Sequence, residues 1–208
     1  MTNSKTHCVG TAKPLATFKE SYRHFYFALR SFPILKKSLS QGLISAPLKE
    51  RIMLAVTEVN GCALCSYGHT TFALEAGLSQ TEIDQLLNGE MGSIPPQDRI
   101  AVLFAQHVAD GRGRVSKKAW ENLIATQGKE QSLGILAATH VIMAGNTYGI
   151  PFGSFLARIT KKDRYEKDPR SSIGYELRTL FSMLLFLPCA CIHACFAAVF
   201  AFPVADFV

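Results

Sequence analysis

Two cysteines and a histidine lie close together in the first third of the chain, and their residue types support thiol chemistry. Cys62 and Cys65 form a CxxC pair, and His69 follows four residues after the second cysteine. If residues 62–75 form a helix, all three side chains share one face, because positions three and four apart are neighbours on a helix. Two thiols one turn apart can close a disulfide, and an imidazole one turn further on can accept the proton of the second thiol. The spacing therefore indicates a redox site.

The position of the cysteines within the predicted helix also favours reactivity. Asn60-Gly61 interrupts the apolar run of residues 52–59 and precedes a segment of good helix formers. This break predicts that the cysteines occupy the first turn of a new helix. There the unpaired N–H groups and the helix dipole lower a thiol pKa below its free value of about 8.5. We therefore expect a thiolate, which is the reactive form.

Two acidic residues precede the cysteines. Glu50 lies in the first turn of a helix predicted over residues 48–59, where an acid also complements the helix dipole. Glu58 lies one turn before Cys62 if the chain continues helically, and a solvated acid is the alternative role there. On spacing alone both residues have a structural explanation, and Glu58 is a secondary site candidate.

The arrangement resembles the alkylhydroperoxidase D family of the carboxymuconolactone decarboxylase superfamily. That family's motif places a glutamate twelve residues before CxxC and a histidine four residues after its second cysteine, which corresponds to Glu50, Cys62, Cys65 and His69. The strings at residues 78–82 and 146–151 extend the resemblance over roughly residues 20–160. Leu64 stands where the best-known member carries a second histidine, so the implied proton relay is simpler here.

The resemblance implies an all-α fold, an alkylhydroperoxidase D-like helical bundle, and a thiol-dependent hydroperoxide reductase. By this resemblance Cys65 attacks the hydroperoxide, Cys62 resolves the product to a disulfide, His69 accepts the proton of Cys65, and Glu50 orients the imidazole. The scheme needs a dithiol reductant such as a thioredoxin-like or lipoyl protein, and it needs no cofactor or metal ion. The resemblance further implies a homo-oligomer, either a trimer or a hexamer.

A single CxxC pair has other interpretations. A general disulfide reductase would use the same chemistry with a different oxidant. A structural zinc site could use Cys62, Cys65 and His69, but no second CxxC or HxxxH offers a clear fourth ligand. A non-catalytic interaction protein is the third alternative. The decarboxylase branch of the superfamily lacks the cysteine pair, which argues against lactone chemistry.

Composition limits the remaining possibilities. A chain of 208 residues with 48% hydrophobic residues is long enough for one domain with an appendage. The net charge of +6 is not gathered in a long basic block, so nucleic-acid binding is disfavoured. The six cysteines form no framework of spaced pairs, and the first residues lack the apolar region of a signal peptide. We therefore expect a cytoplasmic catalytic domain.

Apolar periodicity predicts helices and no β-strands. One amphipathic helix is predicted over residues 18–29, ending before Pro33, and another over residues 130–144, followed by a turn at Gly149-Ile-Pro151 and a short helix. His107 and His140 on apolar faces are interpreted as core or interface residues. The predicted organisation is a loose N-terminus (1–15), a helical domain (16–160), a charged linker (161–173) and a hydrophobic C-terminal helix (174–208).

The C-terminal segment has the composition of a membrane anchor. Residues 179–205 contain no Asp, Glu, Lys or Arg, and residues 180–202 form a transmembrane candidate with a kink at Pro188. Basic residues before this segment would keep the redox domain cytoplasmic and send the C-terminus across the membrane. The alternative is a helix that docks into an apolar groove of an oligomer. The cluster Cys189, Cys191, His193 and Cys195 alternates in a way that does not converge on one helix face, so packing or lipidation is favoured over metal binding.

Overall fold

A computed structural model describes residues 13–160 and 165–208, and this part of the chain is all-α, as the sequence predicts. Its eight helices are α1 (Phe18–Ser40), α2 (Ala46–Asn60), α3 (Ala63–Glu75), α4 (Gln80–Leu87), α5 (Pro96–Asp110), α6 (Lys117–Gln127), α7 (Lys129–Ile159) and α8 (Ile173–Val199). The described residues contain no strand, only an isolated bridge between Val115 and Phe207. Most of the predicted loose N-terminus and the first half of the linker's charged run lie outside the described residues.

Helix α7 is the centre of the bundle. It packs against α1, α2, α3, α5, α6 and α8, and its most apolar stretch is 72% buried. Ile135, Leu136 and Ala138 of α7 join the largest apolar cluster, where they meet side chains of α2 and α5. An apolar helix buried on all sides is expected at the core of a bundle. Because α2 and α3 both rest on α7, this helix positions the two elements that carry the candidate site.

Two predicted helix ends are wrong, and both involve proline. Helix α1 continues through Pro33 to Ser40, and α7 continues through Pro151 to Ile159 without the predicted turn. A proline inside a helix lacks one backbone donor and costs about 3 kcal/mol. Here the residues beyond each proline are buried, Leu35 and Ser38 in α1 and Gly153 and Ser154 in α7. Tertiary packing of these later turns therefore outweighs the local preference to stop.

The C-terminal segment packs along the bundle. Phe186 and Ala190 of α8 are buried, and Tyr26 of α1 packs in the same apolar cluster as Ala190. Beyond α8 the chain turns back: Ala205 joins the main core, and Asp206 forms an ion pair with Arg23 at 3.2 Å. Both ends of α8 therefore contact the same helical bundle.

Two helices, α7 and α8, are long and apolar enough to cross a membrane. The burial of α7 identifies it as the core helix, whereas only 22% of the most apolar stretch of α8 is buried. The outer face of α8 exposes large apolar side chains, among them Phe181, Leu184, Ile192 and Phe196. The structure thus offers an apolar surface that suits a membrane anchor, while the opposite face of α8 packs on α1 of the same chain.

Two buried histidines lie between α1 and α7. His24 shares hydrogen bonds with the Thr147 hydroxyl (2.8 Å) and the Arg112 carbonyl oxygen (3.0 Å). His140 pairs with the Ser31 hydroxyl at 3.0 Å and stacks on Phe27. Burial lowers the pKa of His24 to about 4 and that of His140 to about 3. His140 is therefore a core residue, as predicted, whereas His107 is exposed on α5.

Acid should destabilise the fold through these two imidazoles. Both are neutral in the folded state, while their unfolded-state pKa is about 6.5, so the unfolded chain binds more protons as the pH falls from about 6.5 towards 4. By pH 4.5 the free energy of unfolding should fall by roughly 2 kcal/mol for each histidine. Urea denaturation at pH 7 and pH 4.5 measures this change. His140→Gln should show about half of this fall in the free energy of unfolding. A fall as large as that of the wild type would contradict the role given to His140. His107→Gln is the control at an exposed histidine.

Candidate functional site

The turn between α2 and α3 sets the position of the first cysteine. Gly61 ends α2 in the left-handed conformation, with φ 69°, which is costly for residues other than glycine. Its N–H and that of Cys62 both bond the carbonyl oxygen of Thr57, at 2.8 and 3.3 Å. The predicted break at Asn60-Gly61 is therefore confirmed as a helix end. The chain reverses within one residue, and Cys62 becomes the N-cap of α3.

Cys62 and Cys65 are joined by a disulfide at the start of α3, with their Cα atoms 5.2 Å apart. The sulfur of Cys62 accepts the backbone N–H of Cys65 at 3.3 Å, so it caps the helix. An N-cap position places positive helix-dipole potential on this sulfur, whereas its full burial opposes a negative charge there. The two cysteines differ in access, because Cys62 is fully buried and Cys65 is partly exposed.

The disulfide lies against a glycine-bearing face of α7. A Cβ atom on Gly149 would lie 2.5 Å from the sulfur of Cys65 and 2.9 Å from that of Cys62. The Cys65 sulfur also lies 3.7 Å from the carbonyl oxygen of Gly145, one turn earlier. One turn later, a Cβ on Gly153 would contact Leu64 at 3.3 Å. The absence of side chains at positions 149 and 153 therefore lets α3 approach α7 this closely.

Gly149→Ala should therefore lower stability despite its better helix propensity. Alanine gains about 1 kcal/mol over glycine within a helix. Overpacking in a filled site costs about 1–3 kcal/mol, and here two sulfurs block the new methyl group. We expect a net loss on the order of 1 kcal/mol, measured by urea denaturation of the oxidised protein. Gly174→Ala in α8 is the matched control, since nothing lies within 4 Å of its added Cβ. If Gly149→Ala is as stable as Gly174→Ala, the close contact between Gly149 and the sulfurs is contradicted.

His69 and Glu50 form the second part of the site. The Nδ1 atom of His69 lies 2.8 Å from Oε2 of Glu50, which joins α3 to α2. Glu50 is 1% exposed, and the Lys49 ammonium lies 2.5 Å from its other oxygen, Oε1. The carboxylate is therefore a buried anion with one cationic neighbour and one imidazole. Glu50 lies in the second turn of α2 and not in the first, because this helix starts at Ala46.

The charge of Glu50 follows from the balance of these contacts. Burial alone raises the pKa of its carboxyl, but the hydrogen bond with His69 and the ion pair with Lys49 outweigh burial and lower the pKa below its ordinary value. Glu50 is thus ionised at neutral pH. A carboxylate that binds Nδ1 fixes the ring orientation and leaves Nε2 as the nitrogen available for proton exchange.

Two further positions named from the sequence have other surroundings. The carboxylate of Glu58 lies beside Gly89, at the turn after α4, and burial raises its pKa. This contact does not connect Glu58 to the cysteines, and its secondary candidacy stays a prediction. Leu64 packs on Gly153 of α7 and serves as a spacer between the two helices. A proton relay through position 64 is absent because leucine carries no ionisable group.

Arg170 is a site neighbour that sequence reasoning missed. Its guanidinium donates to the carbonyl oxygens of Asn60 and Gly61, each at 3.2 Å, immediately before Cys62. Asp168 holds the same guanidinium at 2.6 Å. Arg170 belongs to the charged linker, and no local pattern marks it. The glycines 145, 149 and 153, by contrast, repeat every four residues, which is a detectable signal of close helix packing.

The described residues contain no group of three or more His, Cys, Asp or Glu side chains that could hold a metal ion. In the C-terminal cluster, Cys189, Cys191 and Cys195 are free and exposed. His193 points elsewhere: it stacks on Tyr26 and shares a hydrogen bond of 3.2 Å with the Tyr22 hydroxyl. Cys8 lies outside the described residues.

Comparison with known proteins agrees with the recognition made from the motif. Residues 26–91, which include Glu50, Cys62, Cys65 and His69, match the model of the carboxymuconolactone decarboxylase family, which includes alkylhydroperoxidase D-like proteins. Members of this family are enzymes, either decarboxylases or peroxidases. The chain has no significant match among curated proteins or among solved structures.

Proposed function

We propose that this chain, whose residues 26–91 match the carboxymuconolactone decarboxylase family, is a thiol-dependent hydroperoxide reductase. One observation carries the proposal: the Cys62–Cys65 disulfide lies at the start of α3, while His69 of the same helix pairs with the buried Glu50 of α2. A reversible disulfide beside an oriented imidazole suits redox chemistry and has no role in decarboxylation. Of the two activities in the family, the peroxidase therefore fits these residues better.

The cycle starts from the reduced dithiol. The Cys65 thiolate attacks the terminal oxygen of a hydroperoxide, the O–O bond breaks, and the alcohol leaves with a proton. The Cys62 thiol then attacks the resulting sulfenic acid, which releases water and forms the disulfide. Two electrons pass from the thiols to the hydroperoxide, and a dithiol partner such as a thioredoxin-like or lipoyl protein restores them. His69 accepts the Cys65 proton, and Glu50 keeps its imidazole in place.

The roles of the two cysteines follow their accessibility. An attacking thiol must meet the hydroperoxide, and Cys65 is the partly exposed member of the pair. A resolving thiol needs to reach only its neighbour, and Cys62 is fully buried. Both sulfurs rest on Gly149, so they remain in reach of each other after reduction.

Stopped-flow measurement of thiol loss tests the proposal. The reduced full-length protein is mixed with a primary, unbranched alkyl hydroperoxide, and the expected result is fast loss of two thiols per chain. No reaction with hydroperoxides but rapid exchange with a small disulfide would replace this function by general disulfide reduction. An unreactive pair would favour an interaction protein, because neither redox role survives that outcome.

A membrane-surface location is a separate proposal, based on α8. Its outer face carries exposed Leu184 and Phe196 in a stretch without charged residues, which suits an apolar lipid surface. Flotation with phosphatidylcholine vesicles should carry the protein upwards, and the double variant Leu184→Lys, Phe196→Lys should stay in solution. Retention after an alkaline carbonate wash would indicate the transmembrane arrangement.

The homo-oligomer implied by the family resemblance also remains a proposal. Tyr67 and Phe72 of α3 are more than half exposed next to the site, and large exposed aromatic side chains are enriched at subunit interfaces. Light scattering coupled to size exclusion should give the mass of a trimer or a hexamer. A monomer at micromolar concentration would contradict this proposal.

A further inference from the structure

An apolar cavity of about 280 Å³ lies between α1, α7 and α8. Its lining includes Ala28 and Leu29 of α1, Gly145 and Tyr148 of α7, and Met183 of α8. The cavity is open to solvent on one side, and its volume is several times the roughly 30 Å³ that one water molecule occupies in the liquid, so it has room for several methylene groups. The cavity thus has the size and the chemistry to take an extended alkyl group.

The cavity lies close to the redox site at Gly145, although neither cysteine is among its lining residues. This residue lines the cavity, and its carbonyl oxygen lies 3.7 Å from the sulfur of Cys65. Gly145 is exposed and carries no side chain, so no side chain of this residue separates the cavity from the sulfur. A molecule whose polar end reaches Cys65 can therefore extend its apolar part along the cavity.

Tyr148 adds one polar group to this lining. It is 9% exposed, and its hydroxyl lies near the Ser182 hydroxyl of α8. Ser182 donates its own hydrogen to the carbonyl oxygen of Thr179, and its oxygen can still accept one from Tyr148. Ligand sites combine apolar walls with one or two such polar groups.

We propose that this cavity binds the alkyl chain of the substrate and makes the protein selective for hydroperoxides with long, unbranched chains. The inference rests on the proposed function, because the chain is held while the Cys65 thiolate attacks the terminal oxygen. The alcohol and water leave as in the cycle above, and the two thiols supply both electrons. The cavity changes only which hydroperoxide is held near Cys65.

A series of primary alkyl hydroperoxides tests the selectivity. The reduced full-length protein is mixed with butyl, hexyl, octyl and decyl hydroperoxide, and the second-order rate constant of thiol oxidation is measured for each. Each fully buried methylene group strengthens binding by about fourfold. The rate constant should therefore rise by about two- to fourfold for each added carbon until the cavity is filled. Hydrogen peroxide, which has no alkyl chain, provides the baseline rate.

Ala28→Phe should abolish the gain with chain length. Ala28 is partly exposed on α1, so a phenyl ring can enter the cavity without displacing a fully buried residue. The rate constant for decyl hydroperoxide should fall to within about threefold of that for butyl hydroperoxide, since the space for the added carbons is taken. Ala125→Phe is the matched control, at an exposed position of α6 outside the cavity. Its rate constants should rise with chain length as in the wild type.

A second pair of variants examines the contribution of α8. Met183→Ala removes a cavity wall and should weaken the preference for decyl hydroperoxide by about three- to tenfold, as expected for the loss of one or two methylene contacts. Leu177→Ala is the control, because Leu177 lies on the same helix, is 37% exposed and does not line the cavity.

The outcomes separate the two proposals. Equal rate constants for all chain lengths in a protein that reacts with hydrogen peroxide would overturn the cavity assignment and leave the proposed function intact. A preserved chain-length series in Ala28→Phe would also overturn it. No reaction with any hydroperoxide would overturn the proposed function, together with this inference that rests on it.

Discussion

Cys65→Ser is expected to abolish hydroperoxide reduction, whereas Cys62→Ser should stop the reaction halfway. The Cys65 thiolate is the proposed attacking group, and a serine hydroxyl is not a nucleophile at neutral pH without strong activation. In Cys62→Ser the first step remains, so one thiol is oxidised to a sulfenic acid that lacks a resolving partner. Serine is also a good N-cap, so this variant should keep the bond from the Cys65 N–H.

Stopped-flow thiol counting with a sulfenic-acid trap measures this pair. Wild type should lose two thiols and form no trapped adduct, Cys62→Ser should lose one thiol and form the adduct, and Cys65→Ser should lose none. Undiminished activity in Cys65→Ser would sink the assignment. The reverse pattern, with a trapped adduct on Cys62, would exchange the two roles and show that burial of Cys62 is relieved on reduction.

His69→Ala should slow thiol oxidation at pH 7 by on the order of 10²-fold, at the lower end of the 10²- to 10⁴-fold range for a general base. Without the imidazole, Cys65 must lose its proton to water. The rate should then rise with pH until the thiol ionises unaided, below the free pKa of about 8.5 because the start of α3 still favours the thiolate. At high pH the variant should approach the wild-type rate, a rescue that would not follow if His69 only supported the fold.

Rate–pH profiles of His69→Ala and Glu50→Gln between pH 5 and 9 provide the measurement. Glu50→Gln keeps the shape of the side chain but removes the buried charge held 2.8 Å from His69. Its rate at pH 7 should fall less than that of His69→Ala, and it should likewise recover at high pH. Because the pKa of Glu50 is lowered, the wild-type carboxylate stays ionised over this whole range and adds no step of its own. His107→Ala, on the exposed face of α5, is the control and should retain the wild-type profile. If the rate of His69→Ala is reduced by the same factor at every pH, the general-base role of His69 is contradicted.

The sequence by itself determined the local chemistry of the site. The CxxC spacing predicts two thiols one turn apart, and Asn60-Gly61 predicts the helix break that makes Cys62 an N-cap; both depend on residues within one or two turns of each other. The all-α class follows from apolar periodicity in the same way. Such signals are readable because near neighbours in sequence are near neighbours in space.

The tertiary structure decided what lies opposite those residues. Tertiary packing brings Gly149 against both sulfurs and places the Arg170 guanidinium on the turn before Cys62. It also leaves Lys49 in an ion pair with the buried Glu50. The continuation of α1 past Pro33 and of α7 past Pro151 also depends on packing, because burial of the later turns outweighs one lost hydrogen bond in each. Likewise, only the fold shows that α8 lies along α1 and completes an apolar cavity beside Cys65. Free energies of this kind arise between segments far apart in sequence, so no local pattern of residues encodes them.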